Sequence, residues 1–133
     1  MGDPLVYIDT STIGPGMLDS VETALRDLVA FIEANEPQLM AYGAYINGDG
    51  TQMTVFHVHV DSASLEFHLD VAGPAFLPFA DLVTLSSIQI YGAPSERAVD
   101  QLREKARLLG AGDVRVHRPL AGFFRTEGSP TSR

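Results

Sequence analysis

The four residues Asn47-Gly48-Asp49-Gly50 separate two runs of alternating character, and this turn constrains the topology more than any other feature. Asn and Gly accept positive φ at little cost, so the four close a tight connection. Leu39 to Ile46 reads as the strand before the turn. Met53 to Val60 follows it, alternates with period two, and is rich in β-branched and aromatic residues. Two strands joined so closely form an antiparallel hairpin.

A helix is expected on each side of the hairpin. Leu18, Val21, Leu25, Leu28, Val29 and Ile32 recur at helical spacing from about Met17 or Asp19 to Ala34. Asp19 and Glu22 have capping-box spacing, and Asn35 with Pro37 marks the stop. After the hairpin, Asp61 and Ser62 offer N-cap oxygens to a short helix striped by Leu65, Leu69 and Ala72. Gly73-Pro74 is expected to end it. Leu5 to Thr12 and Leu82 to Tyr91 supply the first and fourth strands. A last helix opens at Ser95 and runs to Leu109, with Val99, Leu102, Ala106 and Leu109 as its stripe; an extended segment follows from Val114 to Pro119 and toward Phe124.

The order is β-α-β-β-α-β with a C-terminal α-β extension, an α+β chain of the ferredoxin-like, split βαβ pattern. We read residues 1–125 as a single domain, with 5–92 as core and 93–125 as the extension. Residues 126–133 read as a polar, disordered tail.

Composition narrows the chemistry. At 133 residues and 45% hydrophobic, the chain can bury a proper core. Nine basic against 17 acidic residues, a formal charge of −8, exclude nucleic acid and anionic membrane as natural partners. With no cysteine, disulfides, thiolate catalysis, Fe–S clusters and Cys-type zinc sites are excluded. The start MGDPLVY has neither a basic nor a long apolar signal region, and no apolar run reaches membrane-spanning length, so a cytoplasmic protein is expected. No phosphate-loop, nucleophile-elbow or zincin motif occurs.

Alternation places Met53, Val55, His57 and His59 on one face of the third strand, and Thr54, Phe56, Val58 and Val60 on the other. The second set is the more apolar and is expected to pack under the helices. The first then faces water or a polar cavity. The same phasing groups Tyr7, Asp9, Tyr45, Gln89 and Tyr91 on the concave or partner-facing side, as lining for an aromatic ligand or as dimer packing. Met53, Val55, Leu39 and Tyr45 on that face are too apolar to leave wet, which calls for a homodimer.

The histidines carry the chemistry. His57 and His59 suit a metal pair awaiting a third ligand from His68 or Asp9, or a base acting on a phenol. They equally suit a solvated strand face or a dimer contact. His68 lies beside the helix stripe, as a base or as a helix anchor. His117 and Arg118 read as surface strand.

The run VHVDSASLEFHLDVAGPAFLPF, Val58 to Phe79, following a strand–turn–strand, resembles the antibiotic biosynthesis monooxygenase superfamily of dimeric α/β barrels. Asp61, Leu65, His68, Leu69, Pro74 and Phe76 fit its strand-ending Asp, its helix histidine followed by Leu, and its Pro-x-Phe. The likeness spans about residues 5–92. It implies a cavity between sheet and helices or inside a dimeric barrel. Some members oxygenate quinols or polyketide aromatics without a cofactor. Others degrade haem using a tryptophan, and this chain has none. Asp9 and Thr10 stand where an asparagine is usual. The resemblance therefore implies a cofactor-independent monooxygenase acting on a small phenolic or quinol-type aromatic, with no metal. His68 would be the base, aided by His57 or His59, with Tyr7, Asp9, Tyr45, Gln89 and Tyr91 binding substrate. The alternatives are a non-catalytic dimeric barrel that binds a small molecule or serves in stress response, and a metal-supported isomerase or oxygenase.

Overall fold

The computed structural model describes residues 3–110 and 112–125. Its elements run β1 (Leu5–Ile13), α1 (Leu18–Asn35), β2 (Leu39–Ile46), β3 (Gln52–His59), α2 (Ser62–Phe76), a 3-10 turn (Leu77–Asp81), β4 (Val83–Tyr91), α3 (Glu96–Leu109) and β5 (Asp113–His117). One sheet has the strand order β2-β3-β1-β4-β5. The first four strands pair antiparallel in the ferredoxin-like arrangement. The extension adds β5 parallel to β4 by way of α3, covering what would otherwise be a bare strand edge. Residues 126–133, expected as a tail, lie outside the described residues.

Local signals explain most element ends. Asn47 Oδ1 accepts from the N–H groups of Thr51 and Gln52, and Gly50 takes the positive φ (+74°) that closes the hairpin. Asp61 caps α2 by accepting from Ser64 N–H, and Ser95 caps α3 by accepting from Ala98 N–H. Two expectations are corrected. Asp19 does not cap α1, which begins at Leu18 with no side-chain cap; Asp19 instead lies in the first turn, where its charge complements the helix dipole. Gly73-Pro74 does not end α2. Proline sacrifices one helical hydrogen bond, but Ala72, Phe76 and, in the following turn, Phe79 continue to bury apolar surface, and tertiary packing outweighs the local break.

The larger correction concerns the faces of the sheet. Leu5, Tyr7, Asp9, Ser11 and Ile13 of β1 and Met53, Val55, His57 and His59 of β3 are all buried beneath the helices. Ser86 is an extra residue opposite the Thr10–Ser11 step, and this bulge keeps both Leu85 and Ile88 of β4 pointing to the core. Thr54, Phe56 and Val58 take the open face instead. Alternation defines two faces but not which is covered. Here the polar residues of the covered face find partners on distant helices, so burying them is tolerable. Met53 and Val55 therefore do not contribute to the open face.

Candidate functional site

Ionisable side chains converge between sheet and helices. Tyr7 and Asp9 come from β1, Tyr42 from β2, His57 and His59 from β3. To these α2 adds His68, α3 adds Lys105, and Glu36, the residue that caps the C-terminus of α1, turns inward. The three imidazoles have no solvent exposure, and their ring centroids lie 5.0 to 6.1 Å apart. Tyr7 stacks on His57 at 4.0 Å, and Tyr42 meets its edge at 4.6 Å.

Each imidazole is held through Nδ1. His57 Nδ1 lies 2.9 Å from the carbonyl oxygen of Tyr7. A carbonyl only accepts, so this nitrogen carries the hydrogen. His68 Nδ1 lies 2.9 Å from both carboxylate oxygens of Glu36 and donates to them. His59 Nδ1 pairs with Ser64 Oγ at 2.8 Å. Among the described residues, the Nε2 atoms of all three are buried without a hydrogen-bond partner. A carboxylate on Nδ1 and a free Nε2 is the arrangement that turns an imidazole into an oriented general base.

Electrostatics keep the rings neutral. Burial, reinforced by the neighbouring His68 and Lys105, lowers the pKa of His57 well below its ordinary value. Burial, then His68, lowers His59 to about 3. His68 is also lowered, because burial outweighs the opposing pull of Glu36. Burial, then Asp9, raises the phenols of Tyr7 and Tyr42, which stay protonated. Lys105 Nζ donates to Tyr7 Oη (2.5 Å) and Asp9 Oδ2 (3.1 Å), and lies 3.9 Å above the Phe76 ring. A paired ammonium in a dry site is well placed to stabilise a developing anion.

A groove opens between α2 and α3. Near its start α2 is pinned to α3: Ser95 Oγ donates to Glu66, Arg97 to Glu66 and Asp70, and Gln101 to Asp70. Past these pairs the helices part into a groove of about 400 Å³, walled by Leu69, Gly73, Leu77 and Leu108. Phe76 and Lys105 form its floor and also line an inner cavity of about 20 Å³ against Asp9 and Tyr42, room for about one water.

Of the residues singled out in the sequence, His57, His59, His68, Tyr7 and Asp9 come together here. Tyr45, Gln89 and Tyr91 do not; they lie on the open face, because β2 and β4 register against β3 and β1 in the opposite phase. There His117 stacks on Tyr91 at 4.7 Å and bonds Gln89. Glu36, Lys105 and Tyr42 were missed. Two left a trace: Lys105 falls in line with Ala98, Leu102 and Leu109 on a buried helix face, and Glu36 puts an anion at a helix C-terminus, where the dipole disfavours it. Among the described residues, no group of three His, Cys, Asp or Glu is placed to hold a metal ion, and no helix is long and apolar enough to cross a membrane.

The chain matches no protein-family model and no curated protein. Solved structures share its fold. MupZ from Pseudomonas fluorescens superposes with a TM-score of 0.72 at 18% identity, covering 94% of this chain and 91% of its own. SnoaB, a cofactor-independent oxygenase from Streptomyces nogalater, gives 0.59 at 18% identity over 70% of this chain and 95% of its own. A Caulobacter crescentus protein assigned as an antibiotic biosynthesis monooxygenase gives 0.62 at 18% identity, over 71% and 92%. At such identities the likeness establishes the fold.

Proposed function

From the fold that the chain shares with the antibiotic biosynthesis monooxygenases, and from the imidazole cluster inside it, we propose a cofactor-independent monooxygenase acting on a small phenolic or quinol-type aromatic. The observation that carries this reading is the Glu36–His68 pair, a buried neutral imidazole oriented by a carboxylate with its Nε2 lone pair free. His68 Nε2 takes the proton of a ring hydroxyl. The electron-rich phenolate then passes one electron to dioxygen, and the radical pair joins at a ring carbon that bears hydrogen. The peroxide anion, formed near Lys105, takes the proton back from His68. Loss of water leaves one oxygen atom as a new carbonyl. Lys105 stabilises the oxygen anion, and Tyr7 and Tyr42 hold the ring. The ligand enters by the groove between α2 and α3, displacing Phe76.

The test is oxygen uptake by metal-stripped protein against a panel of hydroquinones and hydroxynaphthalenes. Uptake that survives chelation supports the reading; silence across the panel overturns it. The other reading, a non-catalytic binding barrel, predicts that silence together with a copurifying ligand.

The open sheet face suits a second copy of the chain. Tyr45 and Tyr91 are 58% and 43% exposed there, beside half-buried Ile8, Phe56 and Val58. Light scattering should therefore read a dimer; a monomer at micromolar concentration would contradict the pairing.

A further inference from the structure

We propose that the cluster recognises its ligand as a double hydrogen-bond donor, binding the reduced, dihydroxy form of an aromatic with both hydroxyls on one edge and rejecting the oxidised quinone. The inference rests on the reading of this cluster as a ligand site. It begins with two fixed tautomers. The Tyr7 carbonyl can only accept from His57 Nδ1, and the Glu36 carboxylate only accepts from His68 Nδ1. Both neutral rings must then present Nε2 as a bare acceptor. Neither atom has a partner among the described residues, although both histidines are fully buried. Buried acceptors of this kind need a donor in the working protein. His59 is not fixed in this way, because the Ser64 hydroxyl can donate or accept and does not set its tautomer.

The spacing narrows the donor. The His57 and His68 rings meet edge to face at 5.0 Å between centroids. Two imidazoles so close reach one edge of a ligand, so the hydroxyls are vicinal or peri. Para hydroxyls lie on opposite edges of their ring and cannot both be met. His68 takes the hydroxyl whose proton is to be removed. His57, a positioning residue, holds the second.

Oxidation weakens the fit. In the proposed reaction the hydroxyl that gives its proton to His68 ends as a carbonyl, which only accepts, so its lone pairs face the lone pair of His68, while the second hydroxyl stays a donor to His57. The oxygen-inserted product therefore keeps one of the two hydrogen bonds. A quinone made from the diol's own two hydroxyls keeps neither.

Anaerobic calorimetric titration of metal-stripped protein tests this. The probes are 1,2-dihydroxynaphthalene, its 2-methyl ether, its dimethyl ether and 1,2-naphthoquinone. Affinity should fall roughly tenfold for each donor removed, with the quinone bound no better than the dimethyl ether. In His57→Phe, which keeps a ring but no acceptor, the diol and its mono-ether should bind alike. In His57→Asn, which keeps an acceptor, the preference should persist. Equal binding of diol and quinone by the wild type overturns the proposal. So does a preference that survives in His57→Phe, or stoichiometric zinc uptake that excludes the diol. Because the titration is anaerobic, diol preference without oxygen uptake in air would refute the oxygenase and leave this inference standing. Oxygen uptake with equal affinities would do the reverse.

Discussion

His68→Gln is expected to lower kcat/KM by roughly 10²–10⁴-fold while the protein stays folded, the usual contribution of a positioned base. Glutamine can still donate to Glu36, so the buried carboxylate keeps a partner and the substitution does not strand a charge. What it lacks is a lone pair that can take a proton near neutral pH. Glu36→Gln should cost a similar factor by another route. The amide can donate to Nδ1 as well as accept from it, and in the donating orientation it moves the imidazole hydrogen to Nε2, where it blocks proton abstraction. The pH profile separates the two variants from structural damage. Wild-type activity should hold to below pH ~6.5, because the His68 pKa is lowered in the folded site. Steady-state oxygen uptake from pH 5 to 9, with thermal melts on the same samples, checks both. Turnover of His68→Gln within a few fold of wild type would remove His68 from the mechanism.

Acid should unfold the protein early. The His57, His59 and His68 pKa values are all lowered by burial in the folded state. The unfolded chain has ordinary imidazoles near pH ~6.5 and so binds more protons below that value. Their contribution is complete above pH ~6.5 and is lost as pH falls toward the folded values, at about 1.4 kcal/mol per pH unit for each imidazole. His59, lowered to about 3, keeps contributing to that loss through most of the acid range. His59 alone, lowered to about 3, removes about 3 kcal/mol by pH ~4.5, and His57 and His68 add to that loss, against the ~5–15 kcal/mol that holds a typical domain together. Circular dichroism melts should show Tm falling steeply from about pH 6 downward. A Tm unchanged to pH ~4.5 would mean that the rings are already charged or are solvated.

The order of elements could be read from the sequence because its causes are local. Periodicity, the Asn47–Gly50 turn and the oxygens of Asp61 and Ser95 act over a few residues, and each does what its type predicts. The identity of the covered face could not be read this way. It depends on pairs far apart in the chain, Asp9 with Lys105 and Glu36 with His68, which make a polar face worth burying. Read without them, Phe56 and Val58 look like core and His57 and His59 look wet. The same blindness split the site. The three histidines were visible as residue types, but the carboxylate that orients His68 arrives from the far end of α1. Pro74 failed as a stop signal for the related reason that Phe76 and Phe79 have a core to reach.

Neutral imidazoles, anchored by a carboxylate and a carbonyl, present bare Nε2 atoms inside this fold. Nitrogen-15 NMR of histidine-labelled protein reads it directly, since long-range couplings distinguish the two ring nitrogens and their protonation. At pH 7, His57 and His68 should each show hydrogen on Nδ1 and none on Nε2. An imidazolium at either position, or hydrogen on Nε2 of His68, would contradict the account.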